Sequence, residues 1–188
     1  ARVYKANGAQ EADVEKLFSD VAADFGSLHG LINNAGITRD GLLVKFVDGK
    51  LDKKMSLQQW QAVIDVNLTG VFLCGREAAA KMIELGVEEG VMINISTVAS
   101  YGSFGQSKYA AANAAANPRD YSDYAAAKAA VATLAETWSK ELARYNIRTG
   151  AIAPGTINTD MIAAMKPEAL DRLTQAVPLK LIGETKNI

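Results

Sequence analysis

The residues best suited to chemistry in this sequence are a tyrosine and a lysine four positions apart, in Tyr121-Ser122-Asp123-Tyr124-Ala125-Ala126-Ala127-Lys128. If the alanine-rich stretch opens a helix, Tyr124 and Lys128 share one face and a phenol stands beside an ammonium. An ordinary phenol titrates near pH 10, and a cation held close by favours its ionised form and brings it towards neutral acid–base work. The spacing alone also fits a solvated helix, so the pair needs partners. Three lie upstream: Leu31-Ile32-Asn33-Asn34-Ala35-Gly36, Asn67 within Val66-Asn67-Leu68-Thr69-Gly70, and Ser96 at the end of Val91-Met92-Ile93-Asn94-Ile95-Ser96. A fourth, Ala153-Pro154-Gly155-Thr156-Ile157-Asn158-Thr159, lies downstream. Taken singly, Ser96 reads as a strand-end cap and Asn67 as a core amide satisfied by backbone groups.

The elements that must position these residues follow from periodicity. Arg2 to Ala6 suits a short strand, and Val14, Leu17, Phe18, Val21 and Ala22 make a helical stripe over Glu11 to Phe25. A strand is expected at Leu28 to Asn33. Asp48-Gly49 is a turn signal for a hairpin between Leu43-Val44-Lys45 and Lys50-Leu51. Ser56 with Gln59 forms a capping box that opens a long helix, whose apolar stripe (Trp60, Val63, Ile64, Leu68, Val71, Phe72) carries Asn67 on the same side. Val91 to Ile95 reads as a strand buried on both faces, Asp123 to Tyr145 as a helix, and Ile147 to Ala153 as another buried strand. Strand and helix alternate, so the expected fold is α/β: a doubly wound, Rossmann-type parallel sheet in three layers with right-handed crossovers. Gly36, Ser96 and Pro154 then converge outside the carboxyl ends of the strands, where open α/β sheets bind ligands. Residues 1–188 read as one domain, with the helix-prone stretch 156–188, interrupted by Pro167 and Pro178, as a substrate lid. Met161, Ile162 and Met165 are either its apolar lining or core.

Composition bounds the rest. The chain has 188 residues, 49% hydrophobic and 22% charged, with a formal net charge of −1. That is a soluble globular composition without the basic field that nucleic acid requires. No apolar run is long enough to span a membrane. A single cysteine, Cys74, falls in a helical pattern as a small buried thiol, and the lack of a disulfide framework suits the cytoplasm. His29 is the only histidine, has no metal-ligand companion and is assigned no role; no metal site is expected.

In their order, the five motifs resemble the short-chain dehydrogenase/reductase family. Gly36-Ile37-Thr38-Arg39-Asp40-Gly41-Leu42-Leu43 looks most like that of its bacterial 3-oxoacyl-[acyl-carrier-protein] reductases. The resemblance covers residues 2–188 and implies an NAD(P)-dependent oxidoreductase that reduces a ketone, such as a 3-oxoacyl thioester, or oxidises the alcohol. NADP is slightly preferred over NAD. It implies that Tyr124 protonates the carbonyl oxygen and that Lys128 supports it and binds the nicotinamide ribose. Ser96 would hydrogen-bond the carbonyl, and Asn67 would organise a water near the lysine. Asn33, Asn34, Ala35, Gly36, Pro154, Gly155, Thr156 and Ile157, with Tyr124 and Lys128, would line the cofactor. The substrate would be a small molecule or one bound to an acyl carrier, and the assembly a homo-oligomer, a tetramer.

The sequence departs from the family in two ways. The glycine-rich turn and flanking strands with which members begin, and their last strand and helix, are absent. The chain is therefore expected to be truncated at both ends, as a fragment or as joined pieces of a longer protein. Asn7-Gly8-Ala9-Gln10 also stands where the family often has an acidic residue. The second departure is a repeat: Tyr109-Ala110-Ala111-Ala112-Asn113 matches Tyr124-Ala125-Ala126-Ala127-Lys128 at an offset of fifteen residues. Tyr109 has the family-like distance from Ser96, whereas Tyr124 has the family-like distance from Pro154. Only Tyr124 has a cation beside it, so an inserted segment, looped out at Pro118, is expected before the catalytic helix. The missing turn and the displaced spacing leave a rival reading, a catalytically silent member with a structural or assembly role.

Overall fold

The computed structural model describes residues 1–39, 42–101, 122–159 and 167–188. Three parallel strands, β1 (Gly30–Asn33), β4 (Gly90–Ile95) and β5 (Ile147–Ile152), form the sheet in the order β1-β4-β5. In register, Asn33 stands opposite Asn94, and Asn94 opposite Ala151. Helices flank this sheet in the Rossmann-type α/β arrangement: α1 (Glu11–Phe25), α2 (Leu57–Ile64), α3 (Gly70–Glu84) and α4 (Ser122–Leu142).

Local chemistry explains the boundaries. Helix α1 buries Val14 and Phe18 and stops at Gly26, whose N–H makes the last bond, to the Ala22 carbonyl, and whose φ of 67° turns the chain out of the helix. Both halves of the capping box are made at α2: the Ser56 side chain accepts from Gln59 N, and the Gln59 side chain accepts from Ser56 N. The hairpin expected around Asp48-Gly49 is present as β2 (Val44–Val47) and β3 (Lys50–Lys54). Its two turn residues have φ of 49° and 75°, as a tight primed turn requires.

The sequence and the structure differ at four places. Arg2 to Ala6 is not a strand; no sheet edge is paired with it among the described residues. The long helix from Ser56 is broken by a π-helical turn at Asp65–Thr69, in which Gly70 N bonds the carbonyl of Asp65 instead of Val66. The strand run at Val91–Ile95 alternates: Met92 and Asn94 are buried under the helices, whereas Val91, Ile93 and Ile95 are half-buried. The strand expected to be buried over Ile147–Ala153 is buried at Ile147 alone: Arg148 and Ile152 are exposed on a sheet face that no described helix covers there, and Ala151 is exposed as well. Pro167 opens α5 (Pro167–Ala176), where its missing N–H costs nothing. The expected apolar residues Met161, Ile162 and Met165 lie outside the described residues, as do Tyr109, Asn113 and Pro118.

Among the described residues, a core cluster of Val14, Phe18, Leu73, Ala78, Ala79, Met82, Met92 and Ile147 joins α1, α3, β4 and β5. Burial of side chains this size contributes about 1.5–3 kcal/mol each for the larger ones. Helices α3 and α4 approach closely because Gly75 has no side chain: a Cβ there would lie 2.4 Å from the Trp138 ring. Beyond β5, the short strands β6 (Ile157–Asn158) and β7 (Gly183–Glu184) pair in parallel. No helix among the described residues is long and apolar enough to cross a membrane.

Candidate active site

Helix α4 packs along β4 and β5 and carries both residues of the pair. Tyr124 is half-buried and Lys128 almost wholly buried, with the Lys128 Nζ 5.7 Å from the centroid of the Tyr124 ring. Apolar surroundings disfavour the charged form of Lys128 and push its pKa below the ordinary lysine value. One bond opposes that cost: Nζ donates to the carbonyl of Ile95, the last residue of β4, at 2.6 Å.

Ser96, the next residue, is buried, and its N–H continues the ladder to the Ile152 carbonyl at 2.7 Å. Its Oγ donates to the Lys128 carbonyl at 2.7 Å, with Ser100 Oγ farther off at 3.4 Å. A serine hydroxyl has one proton, so Ser96 can donate to a bound molecule only by releasing the helix carbonyl.

Asn67 sits in the π-helical turn, fully buried, and both ends of its amide are used: Oδ1 accepts from Ile37 N and Nδ2 donates to Ile37 O, each at 2.8 Å. The side chain acts as a false strand partner that fixes the loop after Gly36. That loop reaches the lysine. A Cβ on Gly36 would stand 3.3 Å from Asn67 Oδ1 and 3.7 Å from Lys128 Nζ, so the glycine gives the loop its close approach. Single π-turns of this kind recur at functional sites.

The remaining predicted residues divide. Asn34, Ala35 and Gly36 are exposed beyond the carboxyl end of β1, open to a ligand. Asn33 is buried: its Nδ2 donates to Asn94 Oδ1 at 3.0 Å and, more weakly, to the Val71 carbonyl at 3.4 Å. Its side chain is turned into the protein, so only its backbone faces the loop. Pro154 is anchored where its carbonyl accepts from Val98 N at 3.1 Å, and Thr156 where its carbonyl accepts from Gly183 N at 2.9 Å. Between them Gly155 is exposed, with open space where a side chain would be. Ile157 is half-buried in β6. Thus Ser96, Lys128, Asn67 and Gly36 come together at the carboxyl end of the sheet, with Tyr124 one turn before Lys128 on the same helix.

Sequence reasoning passed over Asn94. It is 1% exposed inside an apolar strand, and its Nδ2 donates to the Val131 carbonyl of α4 at 3.0 Å. An amide in the middle of Val91-Met92-Ile93-Asn94-Ile95 was the available signal, because a buried polar group in such a run must have partners.

Comparison with known proteins is consistent along the chain. A family model described as enoyl-(acyl carrier protein) reductase matches residues 1–188. The 3-oxoacyl-[acyl-carrier-protein] reductase FabG of Staphylococcus epidermidis is 35% identical over 185 residues, 98% of this chain and 65% of the relative. The 3-oxoacyl-[acyl-carrier-protein] reductase of Synechocystis sp. is 36% identical over 189 residues, 100% of this chain and 65% of its own. FabG of Thermotoga maritima is 34% identical over 186 residues, again 65% of its length. The chain therefore spans about 65% of the length of the curated relatives it matches.

Proposed function

The chain belongs to the short-chain dehydrogenase/reductase family, and from that premise we propose that it supplies the catalytic residues of an NAD(P)-dependent oxidoreductase acting on a ketone or its alcohol. A 3-oxoacyl thioester, free or held on an acyl carrier, is the substrate class, as the relatives' names suggest. The observation that supports this reading is the pair itself: a phenol and an amine on one helix face, the Lys128 Nζ held between the Ile95 carbonyl and the Gly36 loop and the Lys128 backbone carbonyl bonded by Ser96.

NADPH, or NADH in its place, would supply the hydride. The backbone of Asn33, the exposed Asn34, Ala35 and Gly36, and the Pro154-Gly155-Thr156-Ile157 segment offer the cofactor its contacts, and Lys128 reaches past Gly36 towards a ribose. NADP is preferred over NAD on the family likeness alone. The Tyr124 hydroxyl gives its proton to the carbonyl oxygen in reduction and takes it back in oxidation. Ser96 turns from the Lys128 carbonyl to hold that oxygen, so its hydrogen bond is exchanged rather than lost. Asn67 holds the Gly36 loop against the lysine; since Ile37 engages both ends of its amide, the water that the family likeness puts near the lysine would meet the amide's remaining hydrogen or lone pair. Residues 156–188 serve as the lid over the substrate.

The cheap test is a melting curve with and without each cofactor. A ligand at a hundred times its dissociation constant stabilises the folded state by about 2.7 kcal/mol, a shift of several degrees. NADPH is expected to give it, with NADH weaker. If neither nucleotide moves the transition, the silent-member reading replaces this one.

A homo-oligomer, most simply a tetramer, is also proposed. Phe72, Ile83 and Leu85 on and after α3 remain exposed, a surface for a second copy to cover. Light scattering at micromolar concentration is expected to return four times the chain mass, and a monomer would refute it.

A further inference from the structure

We infer that Asn94 is a positioning residue: its buried amide fixes the register of α4 along β4 and so sets where Tyr124 and Lys128 stand. The inference rests on the reading of those two residues as the working pair.

Three successive residues at the end of β4 grip one turn of α4. Asn94 Nδ2 donates to Val131 O at 3.0 Å, Ile95 O accepts from Lys128 Nζ at 2.6 Å, and Ser96 Oγ donates to Lys128 O at 2.7 Å. The last two are the groups that must move or respond when a ligand binds. Asn94 is the one of the three with no such duty, which suits it to hold the helix while the others change partners. Its other end is fixed as well, since Oδ1 accepts from Asn33 Nδ2, which also leans on the Val71 carbonyl. A relay of amides thus runs from α3 across two strands to α4.

Trp138 seated over Gly75 and the Thr149 Oγ1 bond to the Ala135 carbonyl hold the far half of α4; at the end that carries the pair, packing fixes the register less well. The buried face of α4 against the sheet is Ala127, Val131 and Ala135, small side chains that set a distance but offer few knobs to resist sliding or rotation. An apolar residue would fill the Asn94 site, as Met92 does two residues earlier on the same face. The amide is needed for its order of groups: a donor towards α4 and an acceptor towards Asn33. A protonated carboxyl has the same order, whereas a carboxylate only accepts and would face the Val131 carbonyl with no proton between them.

That difference makes the test. Asn94→Leu is expected to lower kcat about ten- to a hundredfold, the scale of a sub-ångström to one-ångström misplacement, at temperatures well below its melting point. Asn94→Asp is expected to restore kcat at the acidic end of the profile and lose it as pH rises, over a range where the wild type is flat. Burial raises that carboxyl's pKa, while the Lys128 ammonium facing the cluster from α4 lowers it; β1 and β5 present only Asn33 and Ala151 in register, and α3 a carbonyl. A readout free of turnover is the titration of Lys128 followed by NMR of 13C-labelled lysine, which is expected to move towards the ordinary lysine value in Asn94→Leu. If the wild type turns over no ketone with either cofactor, the functional reading fails and this titration still decides the positioning role. Wild-type kcat and titration in folded Asn94→Leu would overturn the inference, as would an Asp variant no better than Leu at any pH. Should Asn94→Leu not fold, the pH dependence of Asn94→Asp decides alone.

Discussion

Tyr124→Phe is expected to abolish turnover, whereas Tyr109→Phe is expected to leave it near the wild-type rate. Removing a placed proton donor costs about 10²–10⁴-fold, and phenylalanine keeps the ring, so the fold has no reason to change. The choice between the two tyrosines is chemical. A phenol titrating near pH 10 is about 0.1% ionised at pH 7, so a base in the direction of alcohol oxidation needs a cation beside it. Tyr124 has the Lys128 ammonium 5.7 Å from its ring; Tyr109 is followed at the same spacing by Asn113, a neutral amide. Steady-state rates of the two variants check this, with melting curves to show that both are folded. The opposite result, an inactive Tyr109→Phe beside an active Tyr124→Phe, would put the working phenol in the repeat and favour the silent-member reading for the Tyr124 helix.

Much of this arrangement was legible in the sequence, and for stated reasons. The capping box at Ser56 and the turn at Asp48-Gly49 are short-range devices whose geometry is written in a few residues, and both are found where expected. The convergence of Gly36, Ser96 and Pro154 follows from strand order alone, because parallel strands put all their carboxyl ends on one side. What was not legible depends on groups far apart in the chain. The π-turn at Asp65–Thr69 interrupts a stripe that looks continuous by periodicity, and its cause is tertiary: Asn67 turns to meet both backbone groups of Ile37, thirty residues earlier. Asn33 shows the same limit. Its motif suggests a ligand contact, but its register partner across the sheet is another asparagine, and the two amides satisfy each other. Arg2 to Ala6 has strand-forming residues and no strand, since propensity does nothing without a neighbour to pair with.

Lys128→Ala is expected to lower turnover by orders of magnitude and to move the alkaline limb of the pH–rate profile upward. In ketone reduction the working species is the protonated phenol, so activity falls as Tyr124 ionises; taking away the ammonium raises the pH at which that happens. In alcohol oxidation the working species is the phenolate, so the same change delays the appearance of activity and leaves less of it at neutral pH. A second signature follows from the lysine's own burial. Its pKa in the folded protein is below the ordinary value, so between the two values the unfolded chain binds more protons than the folded one, and the wild type gains stability as pH rises through that window. The alanine variant lacks this gain, and the difference in melting temperature between the two proteins is expected to shift in favour of the wild type as pH climbs towards 10. Rate profiles and melting curves across the same buffers measure both effects. If the profile keeps its position while the stability difference follows the predicted slope, Lys128 is a buried structural cation and the pairing with Tyr124 is wrong.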